Sequence, residues 1–290
     1  MRLLLLAGLL LLVGCAQPPK ATSAARQQLA RHEAALDANR RGDTYVRHGE
    51  LDNAARAYRE ALRLSQSLED AEGIAANAVN LSIVLQRQGR FADARSSLNV
   101  VSENSNVRHT PARLAEASLR QALIDLDERR FVPAEEWVAK AAAHCAERCA
   151  LAGAIHNVRA QLALQAGQND QAATHARAAQ AASRGPADRA ELANALRLLG
   201  FTALRAGDAA NARAQLEQAL AIDREIGAPR KIVLDLLALG RAAALGGDRD
   251  GARAYYGRAM AVSEADRDNA GVAEARALMD SVDKGAAIGK

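Results

Sequence analysis

Aromatic residues make up only 3% of this 290-residue chain, with a single tryptophan among them. The 49% apolar content is therefore carried mainly by alanine and leucine, a composition suited to closely stacked helices. No stretch sustains the alternation of a half-buried strand. The formal charge is +4 and the pI about 9.2. Arginines fall at helical intervals with no aromatic-interleaved basic run, so nucleic-acid binding is not expected. A phosphate-cradling glycine loop and a nucleophile elbow are both missing. His32, His48, His109, His144, His156 and His175 are scattered, with no nucleophile or carboxylate at a recognisable spacing, and His144 has only Cys145 and Cys149 near it, too few for structural zinc. Neither a metal, a cofactor nor an enzymatic centre is expected. Leu3–Val13, an apolar run of about eleven residues, is too short to span a bilayer as a helix.

What is present is a repeat. Leu196–Ala219 carries apolar and small residues at helical spacing on both sides of Ala206-Gly207-Asp208, and so reads as two helices joined by a tight turn. Positions equivalent to Gly207 fall at Gly49, Gly89, Arg129, Gly167 and Gly247, in steps of about 40 residues, or about 38 at one joint. Five residues after each stands an alanine: Ala54, Ala94, Ala134, Ala172, Ala212 and Ala252. Twelve after each stand Ala61, Val101, Ala141, Ala179, Ala219 and Ala259. Helices approach closely only where the facing side chains are small, so two such columns define the register of six units.

These columns, with Leu199-Gly200 before the turn and Leu216 after it, resemble the tetratricopeptide repeat. The resemblance implies an all-α, right-handed α-solenoid of about six helix-turn-helix units over residues 23–267. Its unit of about 40 residues exceeds the family's usual 34 or so, which lengthens the helices. Three departures stand out: Arg129 at a turn glycine, and Gln121 and Arg159 where an aliphatic is usual.

Punctuation agrees with paired helices. Ser23 is expected to cap a helix over about Ala24–Arg47, and Asp52 one over Asn53–Ser67. Thr110-Pro111, Gly185-Pro186 and Gly227-Ala228-Pro229 mark joints, and Asp208 and Asp248 are caps. Residues 268–283 read as an amphipathic helix that caps the stack, with Val272, Ala275, Leu278, Met279 and Val282 on one face and a tail over 284–290.

At the N-terminus, Arg2 precedes the apolar run, which ends in Leu12-Val13-Gly14-Cys15. This resembles the lipobox of bacterial lipoproteins. It implies a signal peptide over 1–14, acylation of Cys15 and a tether over 15–22, the alternative being a secretory signal cut elsewhere. Ala16 is not the aspartate of inner-membrane retention, so the expected home is the outer membrane, facing the periplasm. In that oxidising compartment Cys145 and Cys149 form a candidate disulfide, the alternative being two small buried thiols.

In the tetratricopeptide family the first helix of each unit lines a concave groove. Carried onto this chain, its inward positions are Asn39, Asp43 and Arg47, then Val79, Asn80, Ile83 and Arg87. Leu119 and Leu123, Asn157 and Gln161, the trio Arg197, Phe201 and Arg205, and finally Arg241 follow. Arginine and asparagine there suit an acidic or C-terminal segment of a protein partner. The implied function is a membrane-anchored periplasmic adaptor. A peptide-sensing regulator that changes superhelical shape is the alternative, and a cell-envelope enzyme a third. The oligomeric state and the partner's identity are not specified by these residues.

Overall fold

A computed structural model describes residues 22–103, 107–145 and 149–284. Among them are thirteen α-helices and no strand. The helices are α1 (Ser23–Arg47), α2 (Leu51–Ser67), α3 (Ala71–Arg87), α4 (Phe91–Ser102), α5 (Pro111–Asp127), α6 (Phe131–His144) and α7 (Ala152–Gln165). Then come α8 (Asn169–Ala182), a 3-10 turn (Pro186–Asp188), α9 (Arg189–Arg205), α10 (Ala209–Glu225), α11 (Pro229–Leu245), α12 (Arg249–Ala265) and α13 (Asn269–Asp283). The expected signal peptide, Cys15, nearly all of the tether and the tail beyond residue 284 lie outside the described residues.

Each turn position joins the two helices of a unit. Gly49, Gly89, Gly167, Gly207 and Gly247 all have φ between 73° and 81°, the left-handed conformation that ends one helix and turns the chain into the next. Arg129 takes the same conformation, at φ 59°, so the register persists at a cost in backbone strain. Asp208 and Asp248 accept from the backbone N–H of Asn211 and Gly251, and Thr110 caps the Pro111 helix. Two starts differ from expectation by one or two residues. Thr22, not Ser23, caps α1, and α2 begins at Leu51 with Asp52 inside its first turn.

All six alanines five residues past the turn are fully buried, and so are five of the six residues twelve past it, with Val101 at 2% exposure. A second complementarity lies within the units. Gly42 faces Tyr58, Gly200 faces Leu216 and Gly240 faces Tyr256, so closely that an added Cβ would lie 2.3–2.5 Å from the ring or branch. Glycine on the first helix makes room for the large residue on the second.

The core is a relay of clusters, four of which join neighbouring units: Ala54 to Ile124, Leu119 to Leu162, Ala160 to Leu198 and Ala203 to Val282, while Ala193 to Ile222 packs the two helices of the fifth unit. Ala275 and Val282 of α13 complete the last cluster and cover the end of the stack. Every odd-numbered helix packs on the next odd-numbered one, whereas no two even-numbered helices pack extensively. The units are therefore closer together on the odd side. The stack bends with its odd helices inside and its even helices outside.

Candidate functional site

The inner face is set by where residues fall ahead of each turn. Six positions before it stand Asp43, Ile83, Leu123, Gln161, Phe201 and Arg241, and all six are at least partly exposed. Two positions before it stand Arg47, Arg87, Asp127, Gln165, Arg205 and Leu245, the last residues of the odd helices, and all six are exposed. These two columns form a continuous strip along the inside of the stack. Four arginines and two aspartates give it a net charge of +2.

The third expected column corrects the sequence reading. Ten positions before the turn stand Asn39, Val79, Leu119, Asn157, Arg197 and Leu237; all are buried except Asn39, which is partly so. They face the next odd helix and not an open groove. Arg197 is 4% exposed, with Nε donating to Asp235 Oδ1 at 2.6 Å, Nη1 to Asn194 Oδ1 at 2.8 Å and Nη2 to Asp223 Oδ2. Asn157 donates to the backbone oxygen of Glu191 at 2.9 Å and to its Oε2 at 2.7 Å. Both side chains are consumed in joining units, so neither is available to a partner. Asn39 donates to Asn77 Oδ1 at 2.6 Å across α1 and α3.

The remaining residues divide by what already holds them. Ile83 and Phe201 are half-buried against the core, so Phe201 offers an edge and not a free ring. Arg205 donates to the carbonyl of Leu164 at the end of α7, and Arg241 pairs with Glu274 of α13 at 3.0 Å. Arg47 reaches only its own helix, at Thr44 Oγ1, 2.9 Å away. Asn80 is half-buried. Arg87 and Gln161 are exposed with no partner among the described residues. The freest inner-face groups are thus Arg47, Arg87 and Gln161.

Several groups were not singled out by the spacing. Arg120 of α5 reaches Ser82 Oγ of α3 at 3.3 Å, and burial pulls its guanidinium down to about 10. His156 and His175 stack with ring centroids 5.7 Å apart, and burial first, then nearby positive charge, lowers both pKa values. Burial raises the Asp235 carboxyl to about 7 against the pull of Arg197, with Asp223 adding to the rise. Cys145 and Cys149 are joined by a disulfide, Cα to Cα 5.2 Å. Cys145 has already left α6 with extended backbone, so the pair does not lie within a regular helix. Among the described residues no group of three or more potential metal ligands gathers, and no helix is long and apolar enough to cross a membrane.

Residues 32–105, the first two units, match the tetratricopeptide repeat family. No curated protein matches the chain. Among solved structures, BtubC (BKLC) from P. vanneervenii is similar at 19% identity and TM-score 0.56, over 85% of this chain and 93% of that one. A signal transduction ATPase with a tetratricopeptide repeat sensor from Pyrococcus horikoshii aligns at 14% identity and TM-score 0.62, over 88% of this chain and 38% of its own length. A Rap protein complexed with competence and sporulation factor aligns at 14% identity and TM-score 0.61, over 87% and 71%. The described chain is an all-α helical-repeat solenoid with the fold of tetratricopeptide proteins, and its first two units carry that family's sequence pattern.

Proposed function

We propose that this chain is a non-enzymatic scaffold that holds an acidic or C-terminal segment of another protein along the strip formed by its odd helices, while acylated Cys15 tethers it to the bacterial outer membrane on the periplasmic side. One observation carries the binding half of this reading: on every odd helix from α1 to α11 one register column stays exposed and a second partly so, while the third is spent on joining units. A face kept open in six successive units, with net positive charge, suits an extended acidic segment held by several weak contacts. The anchoring half rests on Leu12-Val13-Gly14-Cys15. The Rap protein solved with competence and sporulation factor favours a second reading, in which the ligand is a short peptide and its binding alters the superhelix.

Affinity capture from envelope extracts tests the first half. Wild type is compared with an Arg47→Glu, Arg87→Glu, Gln161→Ala variant, whose altered side chains are exposed and make no contact between units. Loss of a captured protein by the folded variant supports the strip, and an identical captured set refutes it. Cys15→Ala should release the chain into the soluble periplasmic fraction; continued fractionation with membranes contradicts the anchor.

A further inference from the structure

Because even-numbered helices do not pack on one another, clefts open on the outer face, each floored by an odd helix. One of about 460 Å³ lies between α4 and α6 over α5, and one of about 350 Å³ between α8 and α10 over α9. The two occupy the same place in the repeat, which permits a residue-by-residue comparison. Eight positions before the turn the floor holds Leu199 in the α9 cleft and Gln121 in the α5 cleft; four before it, Ala203 and Asp125. In the other units the latter place is Tyr45, Leu85, Ala163 and Ala243, so Asp125 is the one carboxylate in an otherwise non-ionised column.

Gln121 and Asp125 are each 1% exposed and each leaves a buried oxygen unpartnered. The Gln121 amide donates to the Arg95 carbonyl at 3.2 Å and to Asn99 Oδ1 at 3.3 Å, leaving Oε1 without a donor. Asp125 Oδ1 meets Arg130 at 3.1 Å and Arg95 at 3.4 Å, leaving Oδ2 without one. A buried acceptor without a donor costs free energy, and two of them one helical turn apart define what would relieve it: a compact group carrying several N–H donors and positive charge.

We propose that the α4–α6 cleft is a binding site for a primary ammonium group, held by Gln121 Oε1 and Asp125 Oδ2. A tetrahedral ammonium can reach two acceptors on different side chains, which a planar guanidinium does less readily. The charges around them, two arginines (Arg95, Arg130) against four carboxylates (Glu103, Asp125, Glu128, Glu136), sum to −2, which favours a bound cation. Trp137 lines the same cleft, and Lys140 Nζ already sits 3.9 Å from its ring centroid, so the ring attracts ammonium groups at its face. The ammonium belongs either to a free small amine or to a lysine side chain of another protein.

Trp137 is the sole tryptophan of the chain, so its emission reports on this cleft alone. The full chain is titrated with cadaverine, with a capped Ala-Lys-Ala peptide, and with the same peptide acetylated on the lysine. Saturable change with both cadaverine and the lysyl peptide supports a free-amine site, and change with the lysyl peptide alone supports a lysine of a protein partner. Either response is expected to weaken roughly tenfold or more in folded Asp125→Asn and in Gln121→Leu, the latter installing the residue that the fifth unit carries. It should persist in the Arg47→Glu, Arg87→Glu, Gln161→Ala variant, which separates this site from the inner strip. No saturable change with either unmodified probe overturns the proposal. An equal response to the acetylated peptide, or unchanged affinity in both cleft variants, overturns it too.

Discussion

The junction between the first and second units and that between the fifth and sixth use the same three register positions with opposite chemistry. In the first, Asn39 donates to Asn77 at 2.6 Å and Asn77 to Ser65 at 3.2 Å, a neutral chain of amides and a hydroxyl. In the second the places are taken by Arg197, Asp235 and Asp223, one guanidinium between two carboxylates, all at or below 4% exposure. At the junction of the third and fourth units the same places hold Leu119, Ile155 and Cys145, which form part of one apolar cluster. The repeat therefore prescribes where side chains meet and how much room they have, not whether they meet through charge, amides or apolar contact. In the two polar junctions the buried groups are partnered to one another, amide to amide and hydroxyl in the first and guanidinium to carboxylates in the second.

The largest expected effect exploits the charged junction. Arg197→Met leaves two carboxylates buried without their cation and should destabilise the chain by about 3–5 kcal/mol in urea unfolding followed by circular dichroism. A loss below about 1 kcal/mol would mean that the cluster is solvated and the burial argument wrong. At the third junction, reducing the Cys145–Cys149 bridge opens a five-residue loop and should cost about 2 kcal/mol. The neutral junction is the mildest. Asn77→Ala removes one amide from a chain of hydrogen bonds and should cost about 1 kcal/mol. A pH effect is confined to the charged junction. Burial holds the Asp235 carboxyl protonated up to about pH 7, whereas in the unfolded chain it ionises near its ordinary value of about 4. Across that window the folded state binds more protons, so this group's contribution is fully present below the unfolded value and is lost as pH rises towards 7. Asp235→Asn should abolish that slope, and a variant with an unchanged slope would assign it elsewhere.

Much of the fold was legible because it depends on size. The alanine columns, the turn glycines and the α13 face with Ala275 and Val282 lie in the structure where the spacing put them. Side-chain burial ten positions before the turn was not legible from one unit, because it depends on a residue about 38 positions further on: Asn39 needs Asn77, and Arg197 needs Asp235. A signal existed. Inside the stack, Asp235 stands in a column that otherwise holds Asn77, Ala117, Ile155, Ala195 and Ala275, its only other ion being Asp37 on the exposed first helix, and a buried ion there demands a counter-ion. Gln121 was visible as a departure from an aliphatic position, but Asp125 four residues on completes the polar floor only once α4 and α6 are seen to stand apart. The His156–His175 stack joins two helices of one unit through residues 19 apart, a separation no local pattern reports.

The most direct test of the shared register is to transplant one junction into the other by making Arg197→Asn, Asp223→Ser and Asp235→Asn together. The expected result is a folded chain with unchanged helical content, unfolding stability at pH 7 within about 1 kcal/mol of wild type, and no slope between pH 4 and 7 from this junction. A triple variant as unstable as Arg197→Met alone would contradict it, showing that the fifth and sixth units depend on the ions themselves and not on the positions they occupy.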